Sequence, residues 1–215
     1  MTDLSRRDAL RLLGAIPVAG AMDWSVPTIE RATRMVARLH EEPQPAAYKP
    51  KFFTPHEWRT VRVLADIIIP ADERSGSATD ARAPEFIDFM LAERDTSESS
   101  RVSMRGGLAW LDNEMRRRFD KDFYHATSEQ RTSVLDDIAY PRTAKPAYAP
   151  GVAWFTRFRS NVGSAFFSSA MGWKDLQYVG NVFNPNWDGC PPEATAKLGV
   201  SYEEYDASLA RSRKA

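Results

Sequence analysis

Cysteine is almost absent from this sequence, because its 215 residues contain only Cys190. A single cysteine excludes a disulfide within the chain and any multi-cysteine zinc or iron–sulfur site that the chain would build alone. Histidine is scarce too, and His40, His56 and His125 lie far apart, none with a second histidine at ligand spacing. We therefore expect no metal site, and a surface or capping role for each histidine.

An excess of positive charge is also missing, since 29 lysines and arginines balance 29 aspartates and glutamates. Nucleic-acid-binding proteins normally carry a basic excess, so we expect no nucleic-acid partner. The sequence has no glycine-rich phosphate loop, no GxGxxG after a strand and no Gly-x-Ser-x-Gly elbow. We therefore predict no catalytic or cofactor-binding residues, and no FAD or NAD bound by this chain alone.

Residues 1–21 have the anatomy of an export signal, with a charged start, a short apolar run and small residues before a predicted cleavage site after Ala21. The residues that resemble a twin-arginine signal, which exports folded proteins, are Ser5, Arg6, Arg7, Leu10 and Arg11. An aromatic residue is usual where Ala9 stands, and an amphipathic helix with an incidental arginine pair is the alternative. No apolar run reaches the roughly 20 residues that span a bilayer, so we expect no transmembrane span in the mature chain.

The remaining sequence predicts helices separated by proline-rich turns. Capping boxes mark two helix starts, Thr54 with Glu57 and Thr127 with Gln130, and a last helix is predicted from Ser201. The other predicted helices cover residues 28–40, a short stretch from Pro84, residues 99–119 and residues 151–170. No segment alternates convincingly with period two. The predicted fold is all-α, a compact irregular helical bundle with a long aromatic-rich C-terminal loop.

We divide the mature chain into an N-terminal helix and proline-rich linker over residues 22–50 and a single helical domain over residues 51–215. Residues 150–189 hold nine of the 24 aromatic residues. The loop after the predicted helix mixes large rings with turn residues, so its rings either cover the protein's own core or dock into a partner. The candidate interface residues are Trp173, Tyr178, Asn181, Phe183 and Trp187.

Three stretches together carry a family resemblance. They are Phe52-Phe53-Thr54-Pro55 through Ile68-Ile69-Pro70-Ala71-Asp72 to Ala83-Pro84-Glu85-Phe86-Ile87-Asp88, then Gly107-Leu108-Ala109-Trp110-Leu111-Asp112 with Phe119-Asp120-Lys121-Asp122-Phe123, and finally Gly172-Trp173 through Tyr178-Val179-Gly180-Asn181 to Trp187-Asp188-Gly189-Cys190-Pro191. In this order, over residues 50–192, they resemble the gluconate 2-dehydrogenase subunit 3 family, the small subunits of FAD-dependent sugar dehydrogenases. The loop over residues 73–82 lacks the Pro-Gly-Ala expected there.

The resemblance implies a non-catalytic accessory subunit. In this family the partner is a glucose–methanol–choline-type flavoprotein that binds FAD and oxidises a sugar, sugar acid, glycoside or polyol, and electrons often continue to a cytochrome c subunit that carries haem c. The catalytic subunit usually lacks its own signal, so the small subunit is expected to act like a chaperone and to escort it through the twin-arginine translocase. The complex would then be periplasmic and associated with the membrane. The alternatives are a free-standing periplasmic enzyme and a small-molecule-binding helical domain.

Overall fold

The computed structural model describes residues 25–41, 48–178 and 189–203. By their contacts these residues fall into two compact units, one ending at Tyr178 and the other beginning after it, and each is described by itself. The predicted export signal at Ser5, Arg6, Arg7, Leu10 and Arg11 lies outside the described residues, so it stays a prediction.

The described part of the first unit is built from α-helices with short connections. They are α1 (Val26–Glu41), α2 (Pro55–Ile68), α3 (Ala83–Ala92), α4 (Glu98–Phe119), α5 (Ser128–Ala139), α6 (Ala149–Phe167) and α7 (Ala170–Asp175), with a 3-10 turn at Pro146–Tyr148 before α6. The second unit contains α8 (Pro192–Leu198). No strand occurs in the three described ranges, and the all-α prediction is confirmed. None of the helices in these ranges is long and apolar enough to cross a membrane.

Both predicted capping boxes are confirmed. The Thr54 hydroxyl accepts the Glu57 N–H at 3.3 Å, and the Glu57 carboxylate accepts the Thr54 N–H at 2.8 Å. Thr127 and Gln130 exchange the equivalent bonds at 3.3 and 3.0 Å. Each box satisfies N–H groups that have no partner within the helix, so the start of α2 and of α5 is fixed by local sequence.

The core forms around α3 and α6. Helix α3 is buried on nearly all sides, as its apolar sequence predicts, and it packs against α1, α2 and α6. Helix α6 also packs against α4, α5 and α7. Its rings Trp154, Phe155, Phe158 and Phe166 are all buried, so about half of the aromatic-rich region belongs to the core and not to a loop.

A buried carboxylate joins the proline-rich linker to the core. Asp88 of α3 is fully buried and accepts the backbone N–H groups of Lys51, Phe52 and Phe53 at 2.7, 3.0 and 3.0 Å. It also accepts the Tyr48 hydroxyl at 2.8 Å, and burial together with this carboxylate raises the pKa of Tyr48. These four hydrogen bonds replace those to water that Asp88 lost on burial. They hold residues 48–53, which precede α2, against α3.

The C-terminal part departs from the prediction in two places. Residues 171–175, expected to belong to the loop, lie in α7, because the Ser169 side chain caps this helix by accepting the Gly172 N–H at 3.0 Å. Helix α8 was not predicted, although Pro192 at its first turn and Gly199 just after it, with φ +66°, are ordinary boundary signals. The helix predicted from Ser201 falls largely outside the described residues.

Candidate functional site

Trp173 and Tyr178 form an exposed aromatic pair at the end of α7. The Tyr178 N–H donates to the Trp173 carbonyl at 2.9 Å and the Gln177 N–H to the Lys174 carbonyl at 3.1 Å, while Gln177 has φ +55°. This is the Schellman pattern of a helix end, with Gln177 at the left-handed position usually taken by glycine. The reversal brings the two rings edge to face, with centroids 5.7 Å apart. Backbone hydrogen bonds at the end of α7 therefore set the positions of Trp173 and Tyr178 relative to each other.

We call Trp173, Leu176 and Tyr178 the aromatic surface, because all three are exposed within six residues. Their exposed fractions are 51, 47 and 55%. A cavity of about 430 Å³ opens beside Trp173 and is lined mostly by apolar side chains of α1, α3, α6 and α7, among them Val36 and Met171. Large exposed rings beside an apolar cavity are typical of a binding surface for another protein.

An ion pair from a distant loop fixes the aromatic surface. Arg74, in the polar loop between α2 and α3, donates through Nη2 to the Asp175 carbonyl at 2.7 Å. Its Nε lies 3.7 Å from Oδ1 of the Asp175 carboxylate, which is 6% exposed. The two residues are 101 positions apart, so this contact locks the end of α7 to the body of the first unit.

The structure reaches only part of the predicted interface. Trp173 and Tyr178 are brought together and exposed, which leaves them available for a partner. Asn181, Phe183 and Trp187 lie outside the described residues, and their predicted role stays a prediction. In the second unit, Cys190 is exposed and carries a free thiol. Its backbone N–H donates to the Tyr202 hydroxyl at 2.7 Å.

A polar cleft between α2 and α4 is a site that the sequence did not reveal. His56 Nε2 lies 2.6 Å from Oδ2 of Asp112, which is buried and accepts the Phe123 N–H through Oδ1 at 2.9 Å. These residues adjoin a cleft of about 280 Å³ that Arg105 and Arg116 also line. His56 and Asp112 are 56 positions apart, so no local spacing could have paired them.

The other two histidines, His40 and His125, lie at the surface, as expected. His40 contacts the Val36 and Asp80 carbonyls at 3.0 and 3.1 Å, and His125 lies 2.7 Å from Asp122. Within the described ranges, no group of three or more His, Cys, Asp or Glu side chains is placed to hold a metal ion.

Helix α4 contains a basic triplet, Arg116-Arg117-Arg118, and two of its members are paired within the chain. Arg117 and Arg118 both donate to Glu114, at 2.6 Å each for the shortest contacts, and Arg118 also contacts Asp137 at 2.7 Å. These bonds, first that of Arg117, lower the pKa of Glu114 from its ordinary 4.5 to about 2. Two of the three arginines therefore serve a local ion-pair network and form no open basic patch.

Comparison with known proteins bears on the part of the first unit from α2 onward. The family model described as Gluconate 2-dehydrogenase subunit 3 matches residues 55–188, which is more than half of the chain. Searches of the curated proteins and of the solved structures found no match to this chain. The matched range runs from the start of α2 past α7 and includes both the polar cleft and the aromatic surface. The chain therefore belongs to the gluconate 2-dehydrogenase subunit 3 family, which by its description is a family of dehydrogenase-complex subunits.

Proposed function

We propose that this chain is the non-catalytic small subunit of an FAD-dependent dehydrogenase complex, and that it binds, helps to mature and exports the catalytic subunit. The catalytic subunit is a glucose–methanol–choline-type flavoprotein that binds the FAD and oxidises a sugar, sugar acid, glycoside or polyol. A cytochrome c subunit with haem c accepts the electrons in complexes that contain one. The assembled complex works in the periplasm, at the membrane.

The aromatic surface is the observation that carries this proposal. The end of α7 brings the rings of Trp173 and Tyr178 edge to face, yet about half of each residue faces solvent. A helical body that buries its own core has no folding reason to expose these rings, whereas a permanent partner would cover them.

The predicted twin-arginine signal supports this order of events. That route moves proteins that are already folded, so a flavoprotein could bind FAD in the cytoplasm and then travel with a small subunit that carries the signal. The arginine pair Arg6 and Arg7 precedes the apolar run in the arrangement that such signals use. The small subunit would act as a folding partner first and as a carrier second.

The experiment is to co-express the full chain with its flavoprotein and to measure flavin-dependent dehydrogenase activity in periplasmic and cytoplasmic fractions. We expect the double variant Arg6→Lys, Arg7→Lys to leave most of the activity in the cytoplasm. The matched control Arg34→Lys, Arg38→Lys makes the same change in α1 and should export normally. Normal periplasmic activity with the signal variant would contradict the carrier role.

A further inference from the structure

Arg159 of α6 is a buried arginine that forms no ion pair with a described carboxylate. Only 7% of its surface is exposed, and its one hydrogen bond to a described residue runs from Nη1 to the Ala139 carbonyl at 3.1 Å. Taking a charge out of water is unfavourable unless an opposite charge replaces the water. We propose that Arg159 binds a carboxylate side chain of the catalytic subunit. The inference rests on the proposed function for the identity of this partner.

One edge of the Arg159 guanidinium is unoccupied. Nε is buried and has no acceptor among the described residues. Nη2 has no acceptor there either, but unlike Nε it is not buried. Arg117 uses the same two nitrogens to bind both oxygens of Glu114, at 2.9 and 2.6 Å. The free edge of Arg159 therefore has the donors that a carboxylate pairs with, and Nη2 is the donor that a partner can reach.

The end of α5 offsets the buried charge only in part. The Ala139 carbonyl accepts one N–H of the guanidinium, and the C-terminal end of a helix carries a partial negative charge. Burial nevertheless lowers the pKa of Arg159, although Tyr140 acts against this shift. A partial charge at a helix end is weaker than a full carboxylate charge, so capping of α5 does not by itself compensate the guanidinium.

The segment around Arg159 is basic and contains no acidic residue. Residues 138–174 include no aspartate or glutamate, although the whole chain is neutral. The cations of this segment are Arg142, Lys145, Arg157, Arg159 and Lys174. None of them forms an ion pair with a described carboxylate, whereas ten arginines outside the segment do. An acidic surface on a partner would complement this segment.

The turn after α5 places two further cations near Arg159. The N–H groups of residues 143–144 donate to the Tyr140 carbonyl at 3.0 Å each, so the chain turns directly after α5. Arg142 lies within this turn and Lys145 follows it, and both residues are exposed. We call Arg142, Lys145 and Arg159 the basic corner, because Arg159 contacts the last residue of α5. Exposed cations beside a buried one attract an acidic partner and help to orient it.

The first test measures binding of the full chain to its catalytic subunit by titration calorimetry at low and high potassium chloride. Arg159→Met removes the charge and keeps a long side chain, so it should weaken binding by about tenfold or more. Its affinity should also depend less on salt than that of the parent. Arg157→Met is the matched control and should have little effect, because Arg157 is exposed and lies about 200° further round α6.

Urea unfolding of the free chain separates partner binding from a role in the fold. Arg159→Met removes a buried charge that nothing in the described chain neutralises, so the midpoint of unfolding should stay the same or rise. A lowered midpoint would show that the fold itself needs Arg159, and would overturn the proposal.

A carbodiimide cross-link tests the chemistry of the partner surface. The reagent condenses a lysine amine with a carboxylate in contact with it and forms an amide. In the complex, mass spectrometry should find Lys145 joined to an aspartate or glutamate of the catalytic subunit. Lys145→Arg keeps the charge but has no amine, so it is the control that should lose this link. Absence of the link in the parent complex would overturn the assignment of an acidic surface to the basic corner.

The remaining outcomes separate this inference from the proposed function. Where the parent chain binds the catalytic subunit and Arg159→Met binds it equally well, only this inference is wrong. Where the parent chain does not bind the subunit at all, the proposed function is wrong as well. Binding of the free chain to vesicles of equal parts phosphatidylcholine and phosphatidylglycerol, lost in Arg159→Met, would assign Arg159 to a lipid headgroup and overturn the protein partner.

Discussion

Gly107 of α4 lies directly against the indole ring of Trp154 in α6. A Cβ atom built on Gly107 would fall 1.9 Å from Cδ1 and Cγ of that ring, where no real side chain fits. Its neighbour Gly106 is on the solvent side of the same helix, and a Cβ there would meet nothing within 4 Å. Of the two glycines, only Gly107 is thus required by the packing, because α4 and α6 cross closely there.

This contact predicts opposite effects for two identical substitutions. Gly107→Ala should lower the free energy of unfolding by about 2 kcal/mol or more, because the indole ring or α4 must move. Gly106→Ala should raise it by roughly 0.5–1 kcal/mol, since alanine is the better helix former. Urea unfolding followed by circular dichroism measures both. Equal effects of the two changes would show that α4 and α6 do not cross at Gly107.

The Glu114 network predicts a specific loss of stability in acid. Hydrogen bonds from Arg117 and Arg118 favour the ionised carboxylate in the folded state, where its pKa is about 2 instead of 4.5. A lowered pKa gives stability that is present above about pH 4.5 and is lost as the pH falls toward 2. Unfolding free energies measured across this range should therefore decline as these bonds are lost.

The variant Glu114→Gln isolates this contribution. It should be less stable than the parent at pH 7 by about 1 kcal/mol, a value that allows for the solvent around the two arginines. Its stability should also fall less steeply between pH 4.5 and 2. Glu98→Gln is the control, because Glu98 is exposed and its contact with Arg101, at 3.5 Å, is longer than the contacts of Glu114. The same pH slope in Glu114→Gln and in the parent would contradict the assignment.

The aromatic surface predicts a change in association that leaves folding intact. Trp173→Ala should weaken binding to the catalytic subunit by about 2 kcal/mol, or roughly thirtyfold, which is typical of a buried interface tryptophan. Val102→Ala, at an exposed apolar position on α4, is the control and should have little effect. Co-purification and titration calorimetry measure the difference. Unchanged affinity in Trp173→Ala would mean that the catalytic subunit docks elsewhere.

Local signals were enough to predict most helices. Thr54 with Glu57 and Thr127 with Gln130 are complete start signals within four residues, and both form as predicted. Helix α7 was overlooked because it is short, although Ser169 is a standard cap three residues before Gly172. The left-handed residue after this helix, Gln177, did not indicate a helix end in the sequence, because that position is usually glycine.

The pairs that make up the polar cleft could not be predicted in this way. His56 and Asp112 carry no motif, and only the packing of α2 against the rest of the bundle brings them to 2.6 Å. The same holds for Arg74 and Asp175, which meet across 101 residues. Side chains of this kind can be listed from a sequence, but their partners follow from the arrangement of the helices.

The sequence by itself determined the helical class, the starts of α2 and α5, and the family to which the chain is assigned. These depend on residue periodicity, on caps that act within one turn, and on the order of motifs along the chain. Only the tertiary structure decided which residues meet: the glycine that must stay small, the aromatic rings that remain exposed, and the histidine that pairs with a carboxylate. The reason is that burial and long-range pairing arise when helices pack, and a one-dimensional pattern does not specify that packing.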